Sequence, residues 1–500
     1  MSQPHTIEQP FHDPGRSAMT WVLVPAVVMS LGWGLRGYIG GGPHGAMIPG
    51  ALVAMMLCRF LGYDARSSAV VVAFSAIGVG MGGSMTYGQT LGLIRDDPTF
   101  LWGLTGTTLK GAVWGLLGGA VIGLGFVARH ISWWTLTVTF LCMLAAIVAG
   151  IYLVNEPKLI YFSNPIDRPR DESWAGLLLG GLAVLACSGV LNRRHALVPA
   201  RFALYGLIGG GIGFGGGSLF LATQPDLPDT WRWLPCWKFM EFTFGFLFGA
   251  ALGLCAFHAR HPLASLEAES RVPLRTLRPS NLDWIICGAA GIAIVCLFFY
   301  GWHFVLRMVF PYLRDLPPSD LRRTIAGVLL VFPGMGVIQM LLARRWQSAA
   351  WQIAVSITIV AAAIDWQRDL LPRGKIDMPE TYRHLYVAGM GLMSILFVAV
   401  WQNRRAPRVM SLFLFATCVL MGIGYMMGLG LSEIWWSDPA AVAAAGGRAG
   451  YLWQTFRSEI VVHTIFTTLF LISLAAGVIE RRREGAALAA GLPAESTPHR

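Results

Sequence analysis

Charge is what this chain has least of. Only 13% of its 500 residues are Asp, Glu, Lys or Arg, while 55% are hydrophobic and the mean hydropathy is +0.57. A soluble protein of this size cannot cover its surface with so few charges, and a disordered chain cannot be so apolar. Sequence signatures of soluble catalysis are missing as well. There is no H-E-x-x-H, no phosphate-binding G-x-x-x-x-G-K-[ST], and no C-x-x-C among the eight cysteines. All the cysteines but Cys236 fall in apolar segments and read as small core residues, so no disulfide framework is expected. The formal charge of +11 does not imply nucleic acid, because basic residues in a membrane protein concentrate in cytoplasmic loops. The first 19 residues are polar and lack a basic start, which fits an unstructured cytoplasmic N-terminus rather than a cleaved signal.

Long apolar runs are abundant. A bilayer span needs about 20 mostly apolar residues. About fourteen segments qualify, near 20–38, 44–62, 69–90, 108–128, 133–154, 173–192, 200–221, 239–258, 283–305, 324–343, 348–365, 385–402, 409–431 and 458–479. The expected fold is therefore an all-α integral membrane protein. It comprises a bundle over 20–258, a linker over 259–282, a second bundle over 283–480 and a tail over 481–500. Arginine clusters (Arg59, Arg129, Arg193-Arg194, Arg260, Arg344-Arg345, Arg404-Arg405, Arg481 to Arg483) sit tight against helix ends in alternate loops. This places those loops, and both termini, on the cytoplasmic side of an inner membrane.

Internal similarity suggests parallel repeats of Gly-rich helix hairpins. Gly78-Val-Gly-Met-Gly-Gly83 resembles Gly211-Ile-Gly-Phe-Gly-Gly216, and GLLGGAVIGL (115–124) resembles GFLFGAALGL (245–254) at a similar offset. The duplicated stretches run over 74–130 and 204–260. Gly32 to Gly37 also fits G-x-G-x-x-G. All three segments lie inside apolar runs, not between a strand and a soluble helix, so they read as helix-packing surfaces rather than dinucleotide sites.

Candidate site residues are the charges that apolar runs tolerate poorly. Arg36 lies one turn from the outer end of the first span, beside the turn Gly40-Gly-Gly-Pro-His44. It either clamps an anionic group in two-point fashion or snorkels to the interface. His44 is a ligand, a proton carrier or a polar turn residue. Lys110 and Lys238 stand where inward-running helices begin, a position that suits acids better than bases. Either lysine therefore wants an acidic neighbour or an anionic ligand. Glu241 and Glu459 sit just inside their spans at matching repeat positions, and His463 is one turn beyond Glu459 on the same face. These three are the candidates for binding a coupling proton or cation. His303 and Asp365 complete the candidate solute contacts. Outer-loop tryptophans such as Trp231, Trp233 and Trp237 form either an interfacial belt or a sugar-stacking funnel.

Gly62-Tyr-Asp64-Ala-Arg66-Ser resembles, over five residues, the Asp/Arg loop motif of major facilitator transporters between their second and third spans. The second glycine and the basic pair of that motif are missing here, so it supports no assignment. The leading expectation is a transporter of a small polar or anionic solute, coupled to a proton or cation, with no cofactor, no metal and the lipid bilayer as its surroundings. The alternatives are a membrane-embedded enzyme acting on a lipid-linked or periplasmic substrate, and a scaffold subunit of a membrane complex.

Overall fold

The computed structural model describes residues 16–38, 42–63, 65–165, 169–269, 311–346, 350, 353 and 438–489. The spans expected at 283–305, 385–402 and 409–431, and nearly all of 348–365, lie outside the described residues, as do His303 and Asp365. Among the described residues the chain is helical with no strand, and eight helical segments are long and apolar enough to cross a bilayer. The chain is a multi-pass membrane protein.

The helices follow the apolar runs. They are α1 (Ala18–Tyr38), α2 (Gly42–Phe60), α3 (Ala65–Gly82), the short α4 (Gly88–Leu93), α5 (Phe100–Val127), α6 (Trp133–Gly150), α7 (Trp174–Leu191), α8 (Leu197–Thr223), α9 (Cys236–His258) and α10 (Arg260–Ala268). A π-helical turn, Ile151–Asn155, extends α6. Further along come α11 (Pro311–Asp315), α12 (Leu321–Leu330), α13 (Phe332–Arg345), α14 (Pro439–Ala444) and the 42-residue α15 (Arg448–Ala489).

Six of these helices close a ring. α1 packs on α2, α2 on α3, α3 on α5, α5 on α8, α8 on α9, and α9 returns to α1. The three G-x-G-x-x-G segments fall on or at the ends of α1, α3 and α8, which alternate around the ring with α2, α5 and α9. Lipid supplies no hydrophobic drive between helices, so close backbone approach has to hold them together. The α5–α8 contact shows this directly. A Cβ on Gly115 would run into the Gly206 carbonyl, and one on Gly206 into the Gly115 carbonyl, while Gly111 and Gly210 face each other in the same way one turn along. Aromatics fill the ring interior. Trp33 lies 4.9 Å from Trp114 and 4.5 Å from Phe244, and Phe244 lies 5.0 Å from Phe214. Each such pair contributes about 0.5–1.5 kcal/mol beyond its buried area. Outside the ring, α6 and α7 pack as a pair with α7 against α5; α13 lies on α3; α15 lies on α1.

The arginine-bearing connections gather at one end of the bundle. Arg16 Nη1 donates to the Phe60 carbonyl at 3.0 Å, and Arg344 donates to the Ala128 and Ile131 carbonyls. The α10 helix lies across this end: Arg129 pairs with Glu267 at 3.5 Å, and Tyr63 Oη donates to the Leu263 carbonyl at 2.7 Å.

Several elements differ from the sequence expectation: α3 ends at Gly82 rather than near 90, and α15 runs over Arg448–Ala489 rather than 458–479. α5 begins at Phe100, two turns before the apolar run starts at 108. The 3-10 turn Asp97–Thr99 feeds it directly, and Gly106 lets its first turns settle on Phe162 and Thr90. The run at 324–343 is two helices. Val331 is extended (φ −91°, ψ −174°) because Pro333 has no N–H to continue the ladder to the Leu329 carbonyl.

Candidate functional site

Arg36 occupies the last turn of α1 with its side chain buried, only 3% exposed. Its guanidinium sits inside an aromatic box. The carbon Cζ is 5.0 Å from the Trp33 ring, 5.2 Å from Tyr87 and 5.1 Å from Trp114. Trp33 precedes Arg36 by three residues and shares its helix face, Trp114 comes across the ring from α5, and Tyr87 caps the box from the segment joining α3 to α4. Each cation–π contact away from water contributes up to about 2 kcal/mol, which is how an apolar span accommodates this charge.

Hydrogen bonding leaves the guanidinium under-used. Arg36 Nη2 donates to Tyr87 Oη at 2.7 Å. Among the described residues the nearest carboxylate is Glu241, with Oε1 4.0 Å from Arg36 Nη1, too long for a hydrogen bond. Glu241 is occupied elsewhere: Lys238 Nζ donates to its Oε2 at 2.9 Å and Trp237 Nε1 to its Oε1 at 3.2 Å. Among the described residues no acceptor lies within reach of Arg36 Nε. An arginine offers five N–H donors in a planar fork suited to carboxylate or phosphate oxygens. Here most of that fork is unclaimed by the described residues, in a place from which water is largely excluded.

Lys238 stands in the first turn of α9, so Glu241, three residues on, reaches it along one helix face. The lysine side chain is 16% exposed, making it the most accessible of the three charges and the edge of the cluster nearest solvent. It also lies 3.4 Å from the Gly34 carbonyl, tying the start of α9 to α1.

Lys110 belongs to a different arrangement from the one expected. It is not at the start of an inward helix but well inside α5, fully buried. Its ammonium donates at 2.7 Å to each of Glu172 Oε1, Thr90 Oγ1 and the Thr86 carbonyl. Those three bonds use all its hydrogens, leaving none for a solute. Glu172 in turn accepts from the Phe162 backbone N–H and from Ser163 Oγ. This is a closed structural ion pair.

His44 lies in the first turn of α2, edge-on to Phe332 at 5.8 Å, and lines a half-open pocket of about 390 Å³ together with Ser84, Leu177 and Val328. Glu459 and His463 are on α15, which packs on α1. That helix docks through Phe466, 5.2 Å from Phe242 and against Gly34, while Arg457 caps the Trp233 ring at 4.9 Å. The structure thus brings together Arg36, Lys238 and Glu241, and pairs Lys110 with Glu172 instead. Sequence reasoning missed Tyr87 and Trp114, and it noted Glu172 as a charge at a helix start without pairing it with Lys110. Only Trp33 carried a signal, its i, i+3 spacing from Arg36.

No family model matches the chain, and no curated protein or solved structure matches it either.

Proposed function

We propose that the protein is a transporter that takes up an anionic group at Arg36. The observation that carries this reading is a buried guanidinium whose nearest carboxylate stands at 4.0 Å, already engaged by Lys238 and Trp237. A purely structural arginine in a span would be expected to meet its counter-ion in contact, as Lys110 meets Glu172. A carboxylate or phosphate accepting from Arg36 would complete the fork and draw on Lys238 at the wetter edge. Glu241 then acts as the coupling group. Protonated, it would no longer hold Lys238 or attract Arg36, and both cations would turn to the solute. Proton and anion would bind together.

The wider proposal keeps the arrangement expected from sequence: about fourteen spans built as repeated hairpins, an inner-membrane location, and both termini on the cytoplasmic side with the arginine-rich end. Glu459 and His463 remain proposed as a second proton-binding pair on α15.

Thermal unfolding of the full chain in nanodiscs tests the reading, using phosphate, sulfate, simple carboxylates and sugar acids. An anion present at 100 times its dissociation constant adds about 2.7 kcal/mol. The stabilisation should vanish in Arg36→Ala. If no anion stabilises the protein, or if the effect survives in Arg36→Ala, the site is structural.

A further inference from the structure

At the arginine-rich end of the bundle the chain itself satisfies several of the cationic side chains. Arg16 donates to the Phe60 carbonyl, Arg260 to the Phe257 carbonyl, and Arg344 to the Ala128 and Ile131 carbonyls. Arg129 pairs with Glu267 and Arg194 with Glu269, which engages the two carboxylates at the end of α10. Arg201, in the second turn of α8, is different. It is half-buried, and among the described residues nothing accepts a hydrogen bond from it and no carboxylate pairs with it.

Arg201 lies along the seam between α8 and α9. Its charge acts on Cys255 of α9. Tyr205, one turn further along α8, meets His258, three residues beyond Cys255 in the last turn of α9. Tyr205 Oη is 2.7 Å from His258 Nδ1, with the rings edge-on. Where the hydroxyl donates to Nδ1, the imidazole N–H is on Nε2, and the His258 side chain is exposed. Further into the bundle the seam is shut. A Cβ on Gly209 would run into Ala251, and one on Gly213 would press on the Phe244 backbone, so a ligand at this group lies on the outer face of the two helices. That face is apolar. Leu204, Ile208 and Ile212 are exposed and continue from Arg201 in steps of three and four, one stripe along α8 of the kind that faces hydrocarbon. Arg201 and His258 stand at its polar end, near the start of α8 and the end of α9.

We infer that Arg201, together with His258 positioned by Tyr205, binds the phosphate head of an anionic phospholipid in the leaflet at the arginine-rich end. A phosphodiester carries one negative charge over two unesterified oxygens, which match the planar fork of an arginine. The His258 N–H supplies a further donor from the neighbouring helix. The acyl chains then lie along Leu204, Ile208 and Ile212. Basic groups between spans at a membrane surface capture lipid heads in this way. The stripe selects a lipid over a free phosphate, because a soluble anion gains nothing from the apolar surface beside it. The site is independent of Arg36: Arg16, just before α1, belongs to this end, and Arg36 lies in the last turn of the same helix.

The test counts lipids bound to the full chain in neutral detergent by native mass spectrometry, with dioleoyl phosphatidylglycerol and dioleoyl phosphatidylcholine as probes. Wild type should bind the glycerol lipid at least fivefold more tightly than the choline lipid. Arg201→Gln and His258→Gln should each remove that preference; they are on different helices, which guards against one variant failing to fold. Arg193→Gln, at an exposed arginine of the same end, and Arg36→Ala should both retain it. No preference in wild type, or one that survives both Arg201→Gln and His258→Gln, overturns the inference. Equal loss in Arg193→Gln would make the end a diffuse basic surface, and loss in Arg36→Ala would move the lipid to the other site; either result also overturns it. Glycerol 3-phosphate has the same charge chemistry without chains. If it displaces the lipid at equal concentration, the site takes a soluble anion and the lipid assignment fails.

Discussion

Lys110 Nζ lies 2.7 Å from Glu172 Oε1, and the two side chains are 0% and 1% exposed. The bond joins α5 to the residues just ahead of α7 and so fixes the outer pair of helices to the ring. Removing one partner strands the other charge in a dry site, which costs about 3–5 kcal/mol. Lys110→Met and Glu172→Gln should each lower stability by that order. Lys110→Met combined with Glu172→Leu should cost less than the sum of the single losses, since no lone charge is stranded, although the Thr86 carbonyl and the Phe162 N–H lose their partners. Thermal unfolding of the four proteins checks this. Additive losses in the double variant would contradict a closed pair.

Arg36 and Glu241 make the opposite case, because their charges attract without touching. If Glu241 competes with an external anion, Glu241→Gln should tighten anion binding by about tenfold, or 1.4 kcal/mol. Lys238→Gln should weaken binding less than Arg36→Ala, since Lys238 is at the wet edge. Titrations with phosphate at one pH measure both effects. Weaker binding in Glu241→Gln would make Glu241 a direct ligand, not a competitor.

What the sequence disclosed follows from range. Apolar length is local, and the first eight expected spans each coincide with a helix to within a few residues, except that α3 stops at Gly82, well before 90, and α5 starts early. There, Thr105-Gly-Thr-Thr108 dilutes the hydropathy, and only packing against Phe162 and Thr90 makes the helix start early. Arg36, Lys238 and Glu241 stood out because charge in an apolar run is conspicuous. Their assembly did not, because Arg36 and Glu241 are on helices 200 residues apart in sequence whose contact depends on ring closure. Lys110 and Glu172 were both conspicuous for the same reason, yet nothing in their spacing paired them. Pro333 was a visible break signal inside an otherwise continuous run.

Glycine contacts around the ring are predicted to be unequal. Gly115 and Gly206 abut each other's carbonyls, whereas Gly189 on α7 has nothing near an added Cβ. Gly115→Ala should force α5 and α8 apart and destabilise the protein by roughly 1–3 kcal/mol. Gly189→Ala should instead stabilise by about 0.5–1 kcal/mol, through helix propensity alone. Similar unfolding midpoints for the two variants would remove close packing as the source of ring cohesion.

Side-specific labelling tests orientation. His261, exposed on α10, lies at the arginine-rich end, and Asp229 is exposed in the α8–α9 connection at the other. In intact cells a membrane-impermeant maleimide should label Asp229→Cys but not His261→Cys, and permeabilisation should expose the latter. The reverse pattern would invert the proposed topology.

Acid sensitivity is expected at the arginine-rich end from His130, in the connection between α5 and α6. Burial, foremost, lowers its pKa below the ordinary 6.5, and Arg129 and Arg194 push the same way. The Leu266 backbone and Glu269 oppose the shift, and the His195 ring lies 5.5 Å away. A histidine with a depressed folded pKa binds fewer protons folded than unfolded, so stability rises with pH in that window. Its contribution is fully present above the unfolded value and declines as the pH falls through 6.5 towards the folded one. His130→Gln should therefore flatten the loss of thermal stability between about pH 7 and pH 5 without changing the midpoint at about pH 8. The slope decides the matter: an unchanged acid slope in His130→Gln would assign the sensitivity to another group.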